Sequence, residues 1–424
     1  MSFELIILLF ILVVFALGVF VFKLPTGVAL ALSAIIGAIV GGEGFPIRHL
    51  VEGTFGFLDA ILIIATAMIY MKVLEATGSL GTISYQMIKT FYRWPTLMMI
   101  MIGIFVMFPG MLTGLSSACI MTTGALVVPA LIAMGIPVTA VGSFIAMMAV
   151  YGMIAPPINI PVMIIGGGVD MPYIGFDVPL LLATFPLAIG TAIVFRLKYI
   201  KKIEINDILS KLPEPSFKKH GLKLFIPLIV VVVLMLGIRI IPQIIPDIGI
   251  PLIFVIGTIT AYGTGKKFNI FKLSKPAIID ALPVMAILVG VGMLVQIMTL
   301  TGVRGFLAVS ALKLPEVLRY IGIAVLMPAF GSAYASASVL GVPLVYVFLG
   351  KNEIYVASAL SLMAGLGDLM PPPSLLCVFA AQLVGEKNHY RILRKSIPYI
   401  MASLIVGIVM IMFASEIGNV FKKY

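Results

Sequence analysis

The sequence is poor in the residues that build most catalytic and metal sites. Its 424 residues include two cysteines and three histidines, and 11% are charged. The histidines stand far apart, and no His, Asp and Glu cluster with ligand spacing occurs; the cysteines, Cys119 and Cys377, lie in apolar segments. A disulfide framework, a metal centre with His, Cys or clustered acidic ligands, a covalent cofactor and enzyme activity are therefore not expected.

Apolar residues are abundant instead. They make up 61% of the chain, against roughly 45–50% in soluble proteins, and the mean hydropathy is +1.20. Runs of about 20 apolar residues, enough to cross a lipid bilayer, begin with residues 5–22. This run lacks a basic segment before it and a small-residue cleavage site, so we expect a retained span. The composition predicts an all-α, multi-pass membrane protein.

The net charge of +11 fits membrane orientation better than nucleic-acid binding, because the basic residues lie in short loops. The longest polar loop, 196–223, carries eight basic and three acidic residues. Cytoplasmic loops are enriched in Lys and Arg. We therefore predict a cytoplasmic (inner) membrane protein whose linker, 198–220, is cytoplasmic. The segment 304–319, placed outside by this scheme, fits less well with its three basic residues.

The segment 111–159 contains more Gly, Ser, Thr and Pro than a membrane helix needs. A polar tip, TGLSS at 113–117, joins two short apolar arms, and APPIN at 155–159 interrupts the next helix. Interrupted helices persist in a membrane only where protein or a water-filled cavity surrounds them. The pattern predicts a re-entrant helical hairpin at 95–135 and a broken helix at 138–168.

The second half repeats these features in the same order, which predicts an internal repeat. TGSLG at 77–81 returns as TGVRG at 301–305, the tip as GSAYASAS at 331–338, Val-Pro at 128–129 as 342–343, and the Pro-Pro break as MPPPS at 370–374. Each unit would make five crossings plus a hairpin, an odd number that inverts the second. We predict inverted repeats at 1–197 and 221–424, the second with a hairpin at 315–350 and a broken helix at 352–385.

Inverted repeats with discontinuous helices are typical of secondary transporters. Their half-helix ends can hold Na⁺ with carbonyls and an anion with N–H groups. The Na⁺ candidates are small or oxygen-bearing residues: Gly114, Ser116, Thr122, Gly331, Ser332, Ser338 and Asp368. The substrate candidates belong to the tips and breaks: Ser117, Asn159, Pro156, Pro157, Ser336, Pro372 and Ser374. Any single serine could instead serve helix packing, but the recurring group favours a site.

Asp368 is an acidic residue in an apolar segment beside the second break. Such carboxylates are costly in a membrane and mark ion pathways or ion pairs. Ion coupling and a structural hydrogen bond both remain open for Asp368. Asp59 and Asp280 open corresponding spans and are expected at the membrane interface.

The TGLSSA tip followed by VVPALIAMGIP and IAPPINIPVMIIG, with GSAYASAS and MPPPS as the second copy, resembles the large membrane subunit (M subunit, DctM-like) of TRAP transporters in the ion transporter superfamily. The resemblance covers essentially the whole chain. It implies an elevator-type, Na⁺-coupled importer of organic acids such as dicarboxylates. It also implies an extracytoplasmic substrate-binding protein and a small four-helix Q subunit as partners. The acidic residue that commonly follows the family's tip is missing here.

From the sequence we therefore expect a sodium-coupled symporter of a small organic anion, a dicarboxylate or related organic acid. The alternative is a stand-alone carrier of the same superfamily that is proton-coupled or antiporting. A passive channel would not concentrate its substrate, and an intramembrane enzyme lacks the necessary residue clusters.

Overall fold

The computed structural model describes residues 2–200, 205–213, 215, 217–240, 243–371 and 374–421. These residues form helices and, apart from one bridge between Leu349 and Lys351, no strand pairing. The first twelve helices are α1 (Phe3–Ala16), α2 (Thr26–Val40), α3 (Ile47–Phe55), α4 (Leu58–Thr77), α5 (Ser79–Phe91), α6 (Pro95–Thr113), α7 (Ser116–Cys119), α8 (Ala125–Ala133), α9 (Val138–Ile154), α10 (Ile160–Gly168), α11 (Asp177–Tyr199) and α12 (Ile205–Ser210).

The second half follows the same helical order. Its helices are α13 (Phe217–His220), α14 (Ile226–Ile240), α15 (Ile250–Thr260), α16 (Ile270–Leu300), α17 (Val303–Leu312), α18 (Glu316–Ala329), α19 (Ala333–Ser336), α20 (Val342–Val347), α21 (Glu353–Gly365), α22 (Leu375–Val384), α23 (His389–Met412) and α24 (Ala414–Phe421). Turns of π-helix continue α1, α7 and α19, and 3₁₀ turns occupy Gly221–Phe225 and Leu366–Leu369. The inverted relation between the halves stays a prediction.

Within the described residues, eight helical segments are long and apolar enough to cross a membrane. They are α1 with its π turn, α3 with α4, α6, α7 with α8, α11, residues 221–238, α16 and α23. The predicted all-helical, multi-pass membrane protein is confirmed.

The first hairpin has longer arms than the sequence suggested. The helix α6 continues to Thr113, and the second arm spans Ser116–Ala133, so that the turn is reduced to Gly114 and Leu115. Gly114 has a φ of +69°, a conformation that suits glycine and ends α6. Both arms are long enough to cross a membrane, and the re-entrant path stays a prediction.

Two helices, each preceding a break, form the centre of the protein. Residues 140–154 of α9 and 355–365 of α21 are all buried, as expected for helices that are apolar on every side. The helix α9 packs against α22, and α21 packs against α10. Each central helix therefore contacts the half-helix that follows the other's break. This packing surrounds the first break with protein, which interrupted backbone in a membrane requires; at the second break Met370 is half-buried and Pro371 is exposed.

The long helix α16 packs against α2, α3 and α4 beside this centre. Its backbone approaches α3 closely at Gly292 and Gly53, where a Cβ on either glycine would overlap the other's backbone. We call α1–α4 and α14–α16 the peripheral helices. Asp280 lies inside α16, which begins at Ile270, and its expected place at the membrane interface stays a prediction.

Candidate functional site

Both hairpin turns and the second break contribute to one cavity of about 570 Å³. The cavity extends between these segments and the peripheral helices. Six of the sequence-predicted site residues line it: Ser116, Ser117, Thr122, Gly331, Ser332 and Asp368. The structure thus brings together tip residues that are more than 200 positions apart in the sequence.

Asp368 joins the two tips by hydrogen bonds to both of its carboxylate oxygens. The hydroxyl of Ser116 donates to Oδ2 at 2.9 Å, and the backbone N–H of Ala333 donates to Oδ1 at 2.9 Å. Asp368 is 8% exposed. Hydrogen bonds to an ionised carboxylate are about twice as strong as neutral ones. Asp368 is therefore both a structural bridge and a negative charge in the cavity wall.

Tyr334 forms a second link between the tips. Its buried hydroxyl donates to the carbonyl of Gly114 at 3.0 Å, and Met153 Sδ lies 3.6 Å from the same hydroxyl. The Gly114 carbonyl, a predicted Na⁺ ligand, thus already has a protein donor. Tyr334 was not predicted as a site residue; the signal was a single aromatic residue among the small residues of GSAYASAS.

Two buried hydroxyls in the second half have no hydrogen-bond partner among the described residues. They are the Oγ atoms of Ser336, at the end of α19, and Ser374, directly before α22. The turn that carries Asp368 packs against both α19 and α22. Buried polar atoms nearly always have a partner, and an ion or water explains the exceptions. Hydroxyl and carboxylate oxygens are the ligands that a hard cation such as Na⁺ prefers, so these residues fit one.

The first break, in contrast, has protein partners for its polar groups. The Asn159 side chain donates to the carbonyl of Ile154 and to Ser361 Oγ, both at 2.9 Å, and accepts from the N–H of Val162 at 2.9 Å. The Tyr173 hydroxyl donates to the Pro157 carbonyl at 3.0 Å and accepts from the Asn159 N–H at 3.1 Å. These bonds stabilise the break itself.

The other predicted residues lie outside the lining of this cavity. Asn159, Pro156 and Pro157 belong to the first break, Gly114 to the first tip, Ser336 and Ser338 to the second tip, and Ser374 to the second break. Ser338 donates to the Ala335 carbonyl at 3.0 Å, and Thr122, within the lining, donates to the Ala118 carbonyl at 2.6 Å. Pro372 falls outside the described residues. The binding roles of all these residues stay predictions.

The sequence matches a known transporter family over its first part. Residues 2–176 match the family model of the tripartite ATP-independent periplasmic transporter, DctM component. Over these residues the chain is similar to DctM components. The resemblance inferred from the motifs is confirmed over these residues.

Solved transporter structures share the fold of this chain. The YdaH transporter of Alcanivorax borkumensis is 15% identical, with 99% of each chain covered and a TM-score of 0.61. MtrF of Neisseria gonorrhoeae, described as illuminating a class of antimetabolite efflux pumps, is 13% identical, with 98% of this chain and 95% of that chain covered and a TM-score of 0.61. At these identities the likeness establishes the fold alone. No curated protein sequence matches the chain.

The cavity also includes an ion pair that the sequence did not predict. Lys72 Nζ, on α4, lies 3.0 Å from Asp280 Oδ2, on α16, and both residues line the cavity. Taken singly, each residue has the pattern of an interfacial charge. The packing of α4 against α16 pairs them and turns them toward the tips.

Proposed function

We propose that the chain is the membrane translocation subunit of a TRAP-type carrier that couples Na⁺ entry to uptake of a small organic anion. The observation that carries the proposal is that the buried hydroxyls of Ser336 and Ser374 lack a partner among the described residues, while α19 and α22, which these serines end and precede, both pack against the turn that carries Asp368. A cation bound there would neutralise a buried negative charge next to the substrate cavity. Binding of the anion would then no longer be opposed by Asp368.

The packing supports an elevator mechanism. Both tips are joined through Asp368 and Tyr334, and both breaks extend from the buried helices α9 and α21. These parts can therefore move as one body relative to the peripheral helices, with the cavity at the boundary between them. The resemblance suggests a dicarboxylate or related organic acid as the cargo.

The family supplies the remaining parts of the proposal. A DctM component works in a tripartite system, which supports a Q subunit and an extracytoplasmic binding protein as partners in the cytoplasmic (inner) membrane. Neighbouring genes for a secreted binding protein and a small four-span protein would support this assembly. Their absence would favour a chain that works alone.

Proton coupling or antiport is the second candidate, and Asp368 favours it. A carboxylate that lines the cavity and bridges both tips could carry a proton through the transport cycle. In this case Ser336 and Ser374 would contribute little to coupling.

Uptake of labelled mono- and dicarboxylates into proteoliposomes, with Na⁺ and pH gradients imposed separately, tests both candidates. We expect uptake to require the Na⁺ gradient. The double variant Ser336→Ala/Ser374→Ala should raise the half-saturating Na⁺ concentration by about tenfold or more, since two ligands are lost. Ser358→Ala is the matched control, because its buried hydroxyl already donates to the Ile354 carbonyl at 2.7 Å.

Uptake that ignores Na⁺ would contradict the proposal. Uptake driven by the pH gradient alone would establish the second candidate, and uptake without either gradient, never exceeding equilibrium, would indicate a channel.

A further inference from the structure

Apart from the tips, the cavity wall is mainly apolar. Phenylalanine, methionine and leucine side chains form most of the remaining surface, among them Phe15, Met68, Met71, Phe330, Leu376 and Phe379. The rings of Phe15, on α1, and Phe330, at the second tip, stack with centroids 6.4 Å apart. A cavity of about 570 Å³ lies within the range of small-molecule sites, roughly 300–1,000 Å³. Such walls favour a ligand with an apolar body.

The charges in the wall are unequal. Lys72 is the one cationic side chain among the described residues that line the cavity, whereas Asp280 and Asp368 are both acidic. The cavity wall can therefore pair one ligand carboxylate with a cationic side chain. A second carboxylate on the same ligand would lose its hydration without gaining a cationic side chain as a partner.

Lys72 is placed to exchange its partner for a ligand. Its ammonium lies 3.0 Å from Asp280 and 3.9 Å from Glu75, and its side chain is 26% exposed. The two carboxylate side chains are 49% and 48% exposed, so neither is fixed in place by burial within the protein. Ion pairs between partly exposed side chains contribute little net stability, so a ligand carboxylate can replace Asp280 as the partner of Lys72 at small cost.

We infer that Lys72 binds the carboxylate of the transported anion, in competition with Asp280, and that the substrate is a monocarboxylate with a bulky apolar body. This inference rests on the proposed function and narrows it from organic anions in general. It places the group that holds the carboxylate on a peripheral helix and the cation on the tips. Substrate would thus contact both sides of the moving boundary.

Ligand-induced thermal stabilisation of the purified full chain tests the inference. Cys119 and Cys377 are both buried, so a thiol-reactive dye reports unfolding. The probes are 3-phenylpropionate, its neutral amide and succinate, each in Na⁺ buffer. We expect 3-phenylpropionate to stabilise the protein at about tenfold lower concentration than either of the others, because the amide lacks the negative charge and succinate lacks the apolar body.

Variants separate binding from structure. Lys72→Gln should raise the half-saturating concentration of 3-phenylpropionate by about tenfold or more, because the cationic partner is lost. Asp280→Asn should lower this concentration by roughly threefold, since the competing carboxylate is removed. A purely structural ion pair would not produce tighter binding in any variant. Lys275→Gln, on the same helix as Asp280 but outside the cavity lining, is the charge-matched control. If Lys72→Gln fails to fold, Lys72→Arg together with Asp280→Asn still tests the assignment.

Several results would overturn the inference. These are stabilisation by succinate at lower concentration than by 3-phenylpropionate, equal stabilisation by the amide, or unchanged binding in Lys72→Gln and Asp280→Asn. The succinate result, combined with Na⁺-driven succinate uptake, would leave the proposed function intact. If neither carboxylate binds and neither is taken up, both the inference and the proposed function fail.

Discussion

The substitution Asp368→Asn separates the two roles of the carboxylate that bridges the tips. In the wild type, each Asp368 oxygen accepts one hydrogen bond, from Ser116 and from the Ala333 N–H. Asparagine can preserve both contacts, because its carbonyl accepts from the fixed N–H and its amide donates to the hydroxyl, which can reverse. The contacts become weaker without the charge, but the cost of burying that charge also disappears. We expect stability to change by less than about 1 kcal/mol.

The Asp368→Asn substitution should change the affinity for Na⁺ far more than it changes the stability of the protein. At an effective dielectric constant near 20, two unit charges about 4 Å apart attract by about 4 kcal/mol. Loss of the carboxylate charge should therefore lower the affinity for Na⁺ by at least about 100-fold. Asp368→Ala is the comparison, because it removes both acceptors and leaves the buried N–H of Ala333 unpaired, at about 1–3 kcal/mol.

The assay pairs thermal unfolding with Na⁺ titration of uptake in proteoliposomes. The expected order of stability is wild type, then Asp368→Asn close to it, then Asp368→Ala clearly lower. An Asp368→Asn variant with wild-type Na⁺ dependence would refute the cation role of this carboxylate. An Asp368→Asn variant as unstable as Asp368→Ala would refute the preserved bridge.

Three further substitutions test the contacts around the site. Tyr334→Phe should reduce thermal stability by about 1–3 kcal/mol because the buried Gly114 carbonyl loses its donor, and equal melting of variant and wild type would contradict this. Asn159→Ala should destabilise the protein by about 2 kcal/mol or more by removing the cap of α10, with Na⁺ affinity unchanged in the surviving protein; a selective loss of substrate binding would instead restore its predicted binding role. Gly53→Ala should lower the melting temperature through overlap with Gly292, whereas Gly190→Ala, which meets open space, serves as the control.

Local sequence signals were sufficient to locate the helix ends around the breaks. The predicted interruption at 155–159 coincides with the residues between α9 and α10. Proline lacks the N–H that a continuing helix needs, and the Asn159 side chain caps the start of α10, so both signals are local in the sequence. The ends of the hairpin arms were predicted less accurately, because the polarity of Thr113 and Ser116 suggested a longer tip. Both residues are helical, and the Thr113 hydroxyl donates to the Pro109 carbonyl in its own helix.

The pairings that form the site could not be read from the sequence. Tyr334 with Gly114, Asn159 with Ser361, and Lys72 with Asp280 each join residues about 200 positions apart. Periodicity and turn chemistry describe one element at a time. The partner of a polar side chain depends on how the two halves pack, and a single sequence contains no direct signal for that. Asn159 illustrates the consequence, since its position suggested a ligand whereas its amide caps a helix.

The two breaks match in sequence but differ in which groups form hydrogen bonds to their polar atoms. This difference predicts that only one of the two breaks takes part in cation binding. At the first break, Tyr173, Asn159 and Ser361 provide partners from protein. At the second, Asp368 supplies a charge, and Ser374 has no partner among the described residues. A break whose bonds are complete resists ion binding, because an ion would have to displace them. Cation binding should therefore be confined to the second half, while the first break acts as a rigid support that holds its tip against Asp368.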